Sequence, residues 1–253
     1  MIDSHCHLAD KKFEADLPDV LLRAKEAGVE TMISIADTLD EAERCIEIAE
    51  KYPNVYATVG VHPHNAKDWI GKDHERMMAL AKSSPKVRAI GEIGLDYHYD
   101  FSPRDIQQEV FIMQLILARE LKMPAVVHCR EAVADVWSLV SEINPKSLVL
   151  HCCTEKWEDV ERFVQKGYFL SFTGIATYPN ASDIRNTIEH CPLSQLMIET
   201  DAPYLAPVPH RGKRNEPAFV REILKKVAEI KQISPAEVES VTTATAQAFF
   251  RLP

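Results

Sequence analysis

Eight short apolar runs, separated by amphipathic stretches, constrain this chain more than any other feature. They are MIDSHC (1–6), TMISIA (31–36), VYATVGV (55–61), VRAIGEIGL (87–95), PAVVHC (124–129), SLVLHC (147–152), YFLSFTG (168–174) and LMIETDA (196–202). They are rich in Val, Ile and aromatic residues and too short to span a bilayer, so they read as strands. The intervening segments 17–28, 39–52, 105–122, 157–167 and 219–231 repeat their apolar residues with the period of a helix. Gly28 stops the first of these, and Ser234 followed by Pro235 starts one more. Eight βα units in 253 residues, with no linker or low-complexity tract, fit one α/β domain over 1–253, a TIM-type (β/α)8 barrel. The competitor is an open doubly wound sheet. It usually carries a glycine-rich loop after its first strand, and MIDSHCHLAD has no glycine.

Unusual polar residues fall at the ends of these runs. His5 and His7 close the first, Glu92 interrupts the fourth, His128 ends the fifth, His151 the sixth and Asp201 the eighth. Side chains alternate along a strand, so His5 and His7 share one face. A pair of imidazoles makes a poor core and a good ligand pair. In a barrel the carboxyl ends of all strands meet on one face, so these six residues are expected to converge there. Four His, one Glu and one Asp are donors for Zn²⁺, Mn²⁺ or similar ions, with room for two ions and Glu92 as a bridge. Each histidine alone would read as a hydrogen-bonded loop residue; the coincidence at five strand ends is what points to metal.

Alternation turns Cys6, Cys129 and Cys152 toward the helix layer as small core residues, whereas Cys153 shares a side with His151. His62 and His64 form a second His-x-His in GVHPHN, where Pro63 implies that the strand has ended; the loop is expected to line the barrel mouth, with His62 a candidate substrate contact. His74, His98, His190 and His210 read as loop or surface residues. Glu199, two residues before Asp201, is a candidate to orient a histidine ligand or a plain structural polar group. Arg130 follows His128, and PHRGKRNEP (209–217) brings Arg211, Lys213 and Arg214, either a solvated loop or a phosphate grip. Tyr204 is a candidate to stack on a base or to pack the loop.

The formal net charge is −9, which excludes a large basic nucleic-acid footprint but not a local basic pocket. Six scattered cysteines form no Cys-x-x-Cys pair, and MIDSHC lacks a signal-peptide pattern, so a reducing, cytoplasmic setting is expected. There is no apolar run of membrane-spanning length, and with no exposed apolar stripe the chain is expected to be a monomer without an obligate protein partner.

The stretches IDSHCHL, VGVHPH, GEIGLDYHYD, VVHCRE, LHCCTE, SFTGIATYPNA and IETDAPYLAPVPHRGKRNEP closely resemble the TatD family of metal-dependent hydrolases, from Ile2 to about Pro217. The resemblance implies an amidohydrolase-like (β/α)8 barrel with a divalent metal centre and DNase activity, in several members 3′–5′ exonuclease action on single strands. Carried over by motif, the ligands fall on His5, His7, Glu92, His128, His151 and Asp201. Two departures stand out. Cys153 occupies a place that is usually Phe, and TTATAQAFF puts Thr245 and Ala248 where an Asn and an Arg are usual. The second bears on how the last helix docks.

The expected activity is therefore hydrolysis of DNA phosphodiester bonds with two divalent ions (Zn, Mg or Mn). His5, His7 and Asp201 are expected to hold one ion, His128 and His151 the other, with Glu92 between. A water activated at the centre attacks phosphorus and Asp201 takes its proton. His62, Arg130, Tyr204 and Arg211 are the expected substrate contacts. One alternative is hydrolysis of a small amide or ester on the same scaffold, toward which the acidic charge leans. Another is a non-catalytic metal-binding protein, against which six ligands argue, since closed structural sites use four.

Overall fold

A computed structural model describes residues 1–253. Eight strands run in chain order in one sheet: β1 (Ile2–Cys6), β2 (Thr31–Ser34), β3 (Val55–Val59), β4 (Val87–Asp96), β5 (Ala125–Arg130), β6 (Leu148–Leu150), β7 (Phe169–Phe172) and β8 (Leu196–Ile198). Helices α1 (Leu17–Glu26), α2 (Leu39–Lys51), α3 (Asp73–Ser83), α4 (Arg104–Leu121), α5 (Val133–Ile143), α6 (Trp157–Gln165), α7 (Ser182–His190) and α8 (Val220–Lys231) alternate with them, and α9 (Pro235–Phe250) ends the chain. The fold is the expected (β/α)8 barrel. Helices α3, α5 and α7 were not singled out by sequence periodicity. Helix α5 is mostly apolar, which blurs its face.

The chain packs as two compact units. One joins Met1–Ile33 to Cys152–Pro253; the other is Ser34–His151. In the first, β1 is wholly buried, and Cys6 bridges in parallel to Ala202, beyond the end of β8. Strands β7 and β8 pair in parallel from Leu170–Leu196 to Phe172–Ile198. Helix α9 starts at Ser234, whose hydroxyl accepts from the Glu237 N–H, and buries Val238, Thr242, Phe249 and Phe250. At about 1.5–3 kcal/mol per buried large apolar side chain, the two phenylalanines alone anchor it firmly. Thr245 Oγ1 donates to the Ser194 carbonyl at 3.3 Å. The unusual Thr245 thus packs the last helix instead of loosening it.

In the second unit β3, β4, β5 and β6 pair in parallel, with Ala125 opposite Ile90 on one side and Leu148 on the other. Helix α2 is capped by Thr38, which accepts from the Glu41 N–H, and buries Ala42, Cys45, Ile46 and Ala49. The longest strand, β4, is buried at nearly every residue, so its two carboxylates, Glu92 and Asp96, lie inside and need partners.

Candidate functional site

In the first unit β1 delivers His5, and His7 follows one residue past the strand. Asp201 comes from the segment after β8. Its N–H donates to the His5 carbonyl at 2.9 Å, and the His7 N–H donates to the Ala202 carbonyl at 2.7 Å, which clamps the two segments together. Strand β8 ends at Ile198, three residues short of Asp201, so strand alternation does not place this carboxylate. A left-handed turn does, with φ +56° at Asp201. The His5 and His7 Nε2 atoms are 3.2 Å apart, and Asp201 Oδ1 is 3.5 Å from the first and 3.2 Å from the second.

Beneath this set Glu199 is buried. It accepts from the Ser171 hydroxyl at 2.6 Å, the Ser4 hydroxyl at 3.4 Å and the Cys152 N–H at 2.7 Å. Glu199 therefore ties together the segments around β1, which carries His5. Cys152 departs from expectation. Because β6 ends at Leu150, alternation has lapsed; Cys152 takes φ +45° and is half-buried against Thr173 instead of pointing into the core. Cys6 and Cys129 are buried as expected; Cys153, set apart because it shares a side with His151, is buried too, and its N–H donates to the Ser171 carbonyl.

In the second unit Glu92 Oε1 is the hub. It lies 2.7 Å from His151 Nε2, 3.0 Å from His128 Nδ1 and 3.3 Å from His62 Nε2. His128 Nδ1 and His151 Nε2 are 3.4 Å apart. The other His128 nitrogen, Nε2, lies 3.0 Å from Asp96 Oδ2, and the same oxygen meets His64 Nε2 at 3.0 Å. A carboxylate only accepts, so a neutral His128 that donates to Asp96 carries its proton on Nε2 and its lone pair on Nδ1, whereas the protonated ring donates to Glu92 through Nδ1 as well. Burial alone would raise the Asp96 carboxyl, but hydrogen bonds from His128, His64 and the Tyr99 N–H hold it well below the usual carboxylate range. Burial would likewise raise Glu92; the charges of His151 and His62 and hydrogen bonds from His128 and His151 outweigh it and lower it. His128 is raised, as its bonds to Asp96 and Glu92 outweigh burial.

Glycine makes this second set possible. Gly94 lies opposite His128 in the β4–β5 register and has φ +143°. A Cβ there would collide with the His128 carbonyl oxygen, so only glycine lets the strands approach.

Both sets fit a divalent ion. Ligand atoms about 2.1 Å from a tetrahedral Zn²⁺ stand about 3.4 Å from each other. The first set has edges of 3.2, 3.2 and 3.5 Å, close to this, and the second has 2.7, 3.0 and 3.4 Å, nearer the edge of about 3.0 Å around an octahedral ion. Imidazole and carboxylate are the donors that Zn²⁺ and Mn²⁺ accept.

Asp96 and His64 were missed as parts of the site by sequence reasoning. A signal existed, since Asp96 lies four residues after Glu92 on the same strand and thus on the same face. Of the expected substrate contacts, His62 stands against Glu92. Tyr204 sits edge-on to His7, with ring centres 5.9 Å apart, while its hydroxyl donates to Asp10 at 2.7 Å. Arg130 lies over the Tyr99 ring, and Arg211 over Tyr178. Arg214 is taken up by Asp16, Glu216 and the Lys12 carbonyl, so it braces the loop.

The family described as TatD related DNase matches residues 2–251. The chain belongs to this family. It is 37% identical over 254 residues to an uncharacterized metal-dependent hydrolase of Bacillus subtilis, YabD, covering 100% of this chain and 99% of that one. It is 35% identical over 258 residues to the 3′–5′ ssDNA/RNA exonuclease TatD of Cronobacter sakazakii, covering 99% and 97%. The crystal structure of a TatD homolog from Escherichia coli superimposes with a TM-score of 0.95 at 30% identity, over 100% of this chain and 98% of that one. The chain is thus a metal-dependent hydrolase of TatD type. No helix is long and apolar enough to cross a membrane.

Proposed function

We propose that residues 1–253 act as one phosphodiesterase domain that cleaves single-stranded DNA from its 3′ end, using two divalent ions. The observation that carries this reading is the pair of ligand triangles, His5–His7–Asp201 and Glu92–His128–His151, each sized for one ion. Bound ions would supply Lewis acidity at the phosphate and acidify a water toward neutral pH. Asp201, whose carboxylate is less buried than Glu92 at 13% against 3% exposure, accepts the proton of the attacking water. Glu92 holds His128 and His151, and Asp96 keeps the His128 lone pair on Nδ1. His62, Arg130 and Arg211 contact phosphate oxygens, and Tyr204 contacts the substrate beside His7. The relative from Cronobacter sakazakii, named as a 3′–5′ ssDNA/RNA exonuclease, supports the substrate class. The six free thiols support a reducing, cytoplasmic setting for a protein acting as a monomer.

The test is cleavage of an end-labelled single-stranded oligonucleotide by metal-stripped protein, with Mg²⁺, Mn²⁺ or Zn²⁺ added back. Progressive shortening from the 3′ end is expected. The His128→Ala, His151→Ala double variant should lose it. Metal binding without cleavage would sink the nuclease reading and favour a small amide or ester substrate.

A further inference from the structure

Immediately after Asp96 the chain forms a loop that displays two large aromatic rings to water. Tyr99 is 47% exposed and Phe101 55%. They stack on each other, with ring centres 5.2 Å apart and planes 15° from parallel. The loop is not loose. Asp96 Oδ1 accepts from the His98 and Tyr99 N–H groups at 3.0 and 2.9 Å, and Gln107 donates to the Asp96 and Ser102 carbonyls. Ser102 donates to the His64 carbonyl at 2.9 Å and accepts from the Lys67 N–H at 3.1 Å. A rigid loop that holds two stacked rings in solvent has already met the ordering cost of binding a flat ligand.

The surroundings say which flat ligand. The Arg130 guanidinium lies 4.8 Å from the centre of the Tyr99 ring. The nearby acids are engaged: Glu131 pairs with His98 and Asp100 with Arg104. Arg130 thus remains a cation available to an anionic backbone. His64 stands edge-on to Phe101 at 4.8 Å and to Tyr99 at 5.5 Å, and it shares the Asp96 oxygen with His128. The rings therefore lie one imidazole away from the His128 side of the ligand set, whose ring centre is 6.2 Å from that of His64. An aromatic plane, a cation and a neighbouring phosphate-cleaving centre are the parts of a single-strand binding groove.

We propose that Tyr99 and Phe101 form a stacking platform for a nucleobase of the substrate strand, next to the phosphodiester cleaved at the His128 set. This rests on the phosphodiesterase reading above. Stacking on aromatic rings tolerates any base, so the platform favours strands with exposed bases without selecting sequence.

The experiment compares two short single strands with identical phosphodiester backbones, an oligothymidylate and an abasic counterpart. Wild-type protein should show a KM about ten-fold lower for the base-bearing strand, in line with the usual worth of one stacked base. The Tyr99→Ala, Phe101→Ala double variant should treat both strands alike and keep its rate on the abasic one; Phe101→Trp should restore the preference. Equal KM values for the two strands in the wild type, or a preference that survives the double variant, overturns the platform. Binding of phosphorothioate forms of both strands, read by fluorescence anisotropy, separates this from the activity. A preference in binding that the double variant loses, without cleavage of either strand under any metal, keeps the platform and removes the nuclease. No preference in either assay removes the platform.

Discussion

At the scale of a residue, Asp96 decides more than its place behind the candidate ligands suggests. One of its oxygens takes two backbone N–H groups and the other faces the Nε2 atoms of His128 and His64. In Asp96→Asn the remaining oxygen is held by the two N–H groups, so the new amide must point its own donors at the histidines. His128 then has to offer a lone pair at Nε2, and its proton moves to Nδ1, the atom that faces Glu92. The expected result is a loss of metal affinity of about 10–100-fold, as is usual for partners that orient a ligand histidine. Calorimetric titration of Mn²⁺ or Zn²⁺ into the stripped variant checks it; unchanged affinity would show that Asp96 does not set the tautomer. The residue scale also marks a boundary of what the sequence discloses. The six imidazole and carboxylate candidates could be picked because they sit at the ends of apolar runs, where polar groups are out of place. Asp96 and His64 sit in polar company, LDYHYD and HPHN, where nothing about them looks anomalous. Spacing puts Asp96 on the face of Glu92, four residues before it, but does not encode the oxygen that Asp96 shares between His128 and His64.

At the scale of an element, β4 and β5 approach closely because Gly94 permits it, and this can be separated from the mere presence of a positive φ. Gly94 and Gly167 both have φ in the region that disfavours side chains, at +143° and +91°. A Cβ on Gly94 would strike the His128 carbonyl, whereas one on Gly167 would meet nothing within 4 Å. Gly167→Ala should therefore cost about 1–2 kcal/mol from backbone strain alone. Gly94→Ala adds the displacement of β5 and should cost at least about 3 kcal/mol, with weakened metal binding. Urea denaturation of both variants tests the contrast, and equal losses would mean that strain, not strand approach, is what Gly94 relieves. The elements themselves were readable where a strong period or a start signal marked them: α2 by its period, α9 by its Ser234 cap. Strand ends were not. β6 and β8 stop three residues long, and the turns that carry His151, Cys152 and Asp201 use left-handed backbone at Cys152 and Asp201, which alternation cannot foresee.

At the scale of the whole molecule, the proposed phosphodiesterase activity would require a chain of net charge −9 to bind a polyanion. The long-range field repels the substrate, and only local cations attract it. These two effects respond to salt in opposite ways. Screening relieves the long-range repulsion, which speeds encounter. Each local phosphate contact releases a counterion, so affinity falls with a slope of about −0.7 per contact in a plot of log K against log salt. With Arg130 and Arg211 as the cationic contacts, log KM for single-stranded DNA should rise with log salt at a slope of about 1.4. That is shallow beside proteins that present a basic face. Arg211→Ala should lower the slope by about 0.7 and leave the site's metal affinity alone, because Arg211 lies against Tyr178 and not among the ligand triangles. A KM that does not change with salt would remove the phosphate contacts from the account and return the small neutral amide or ester as the better substrate. A slope far above 1.4 would mean that cations beyond these two reach the strand.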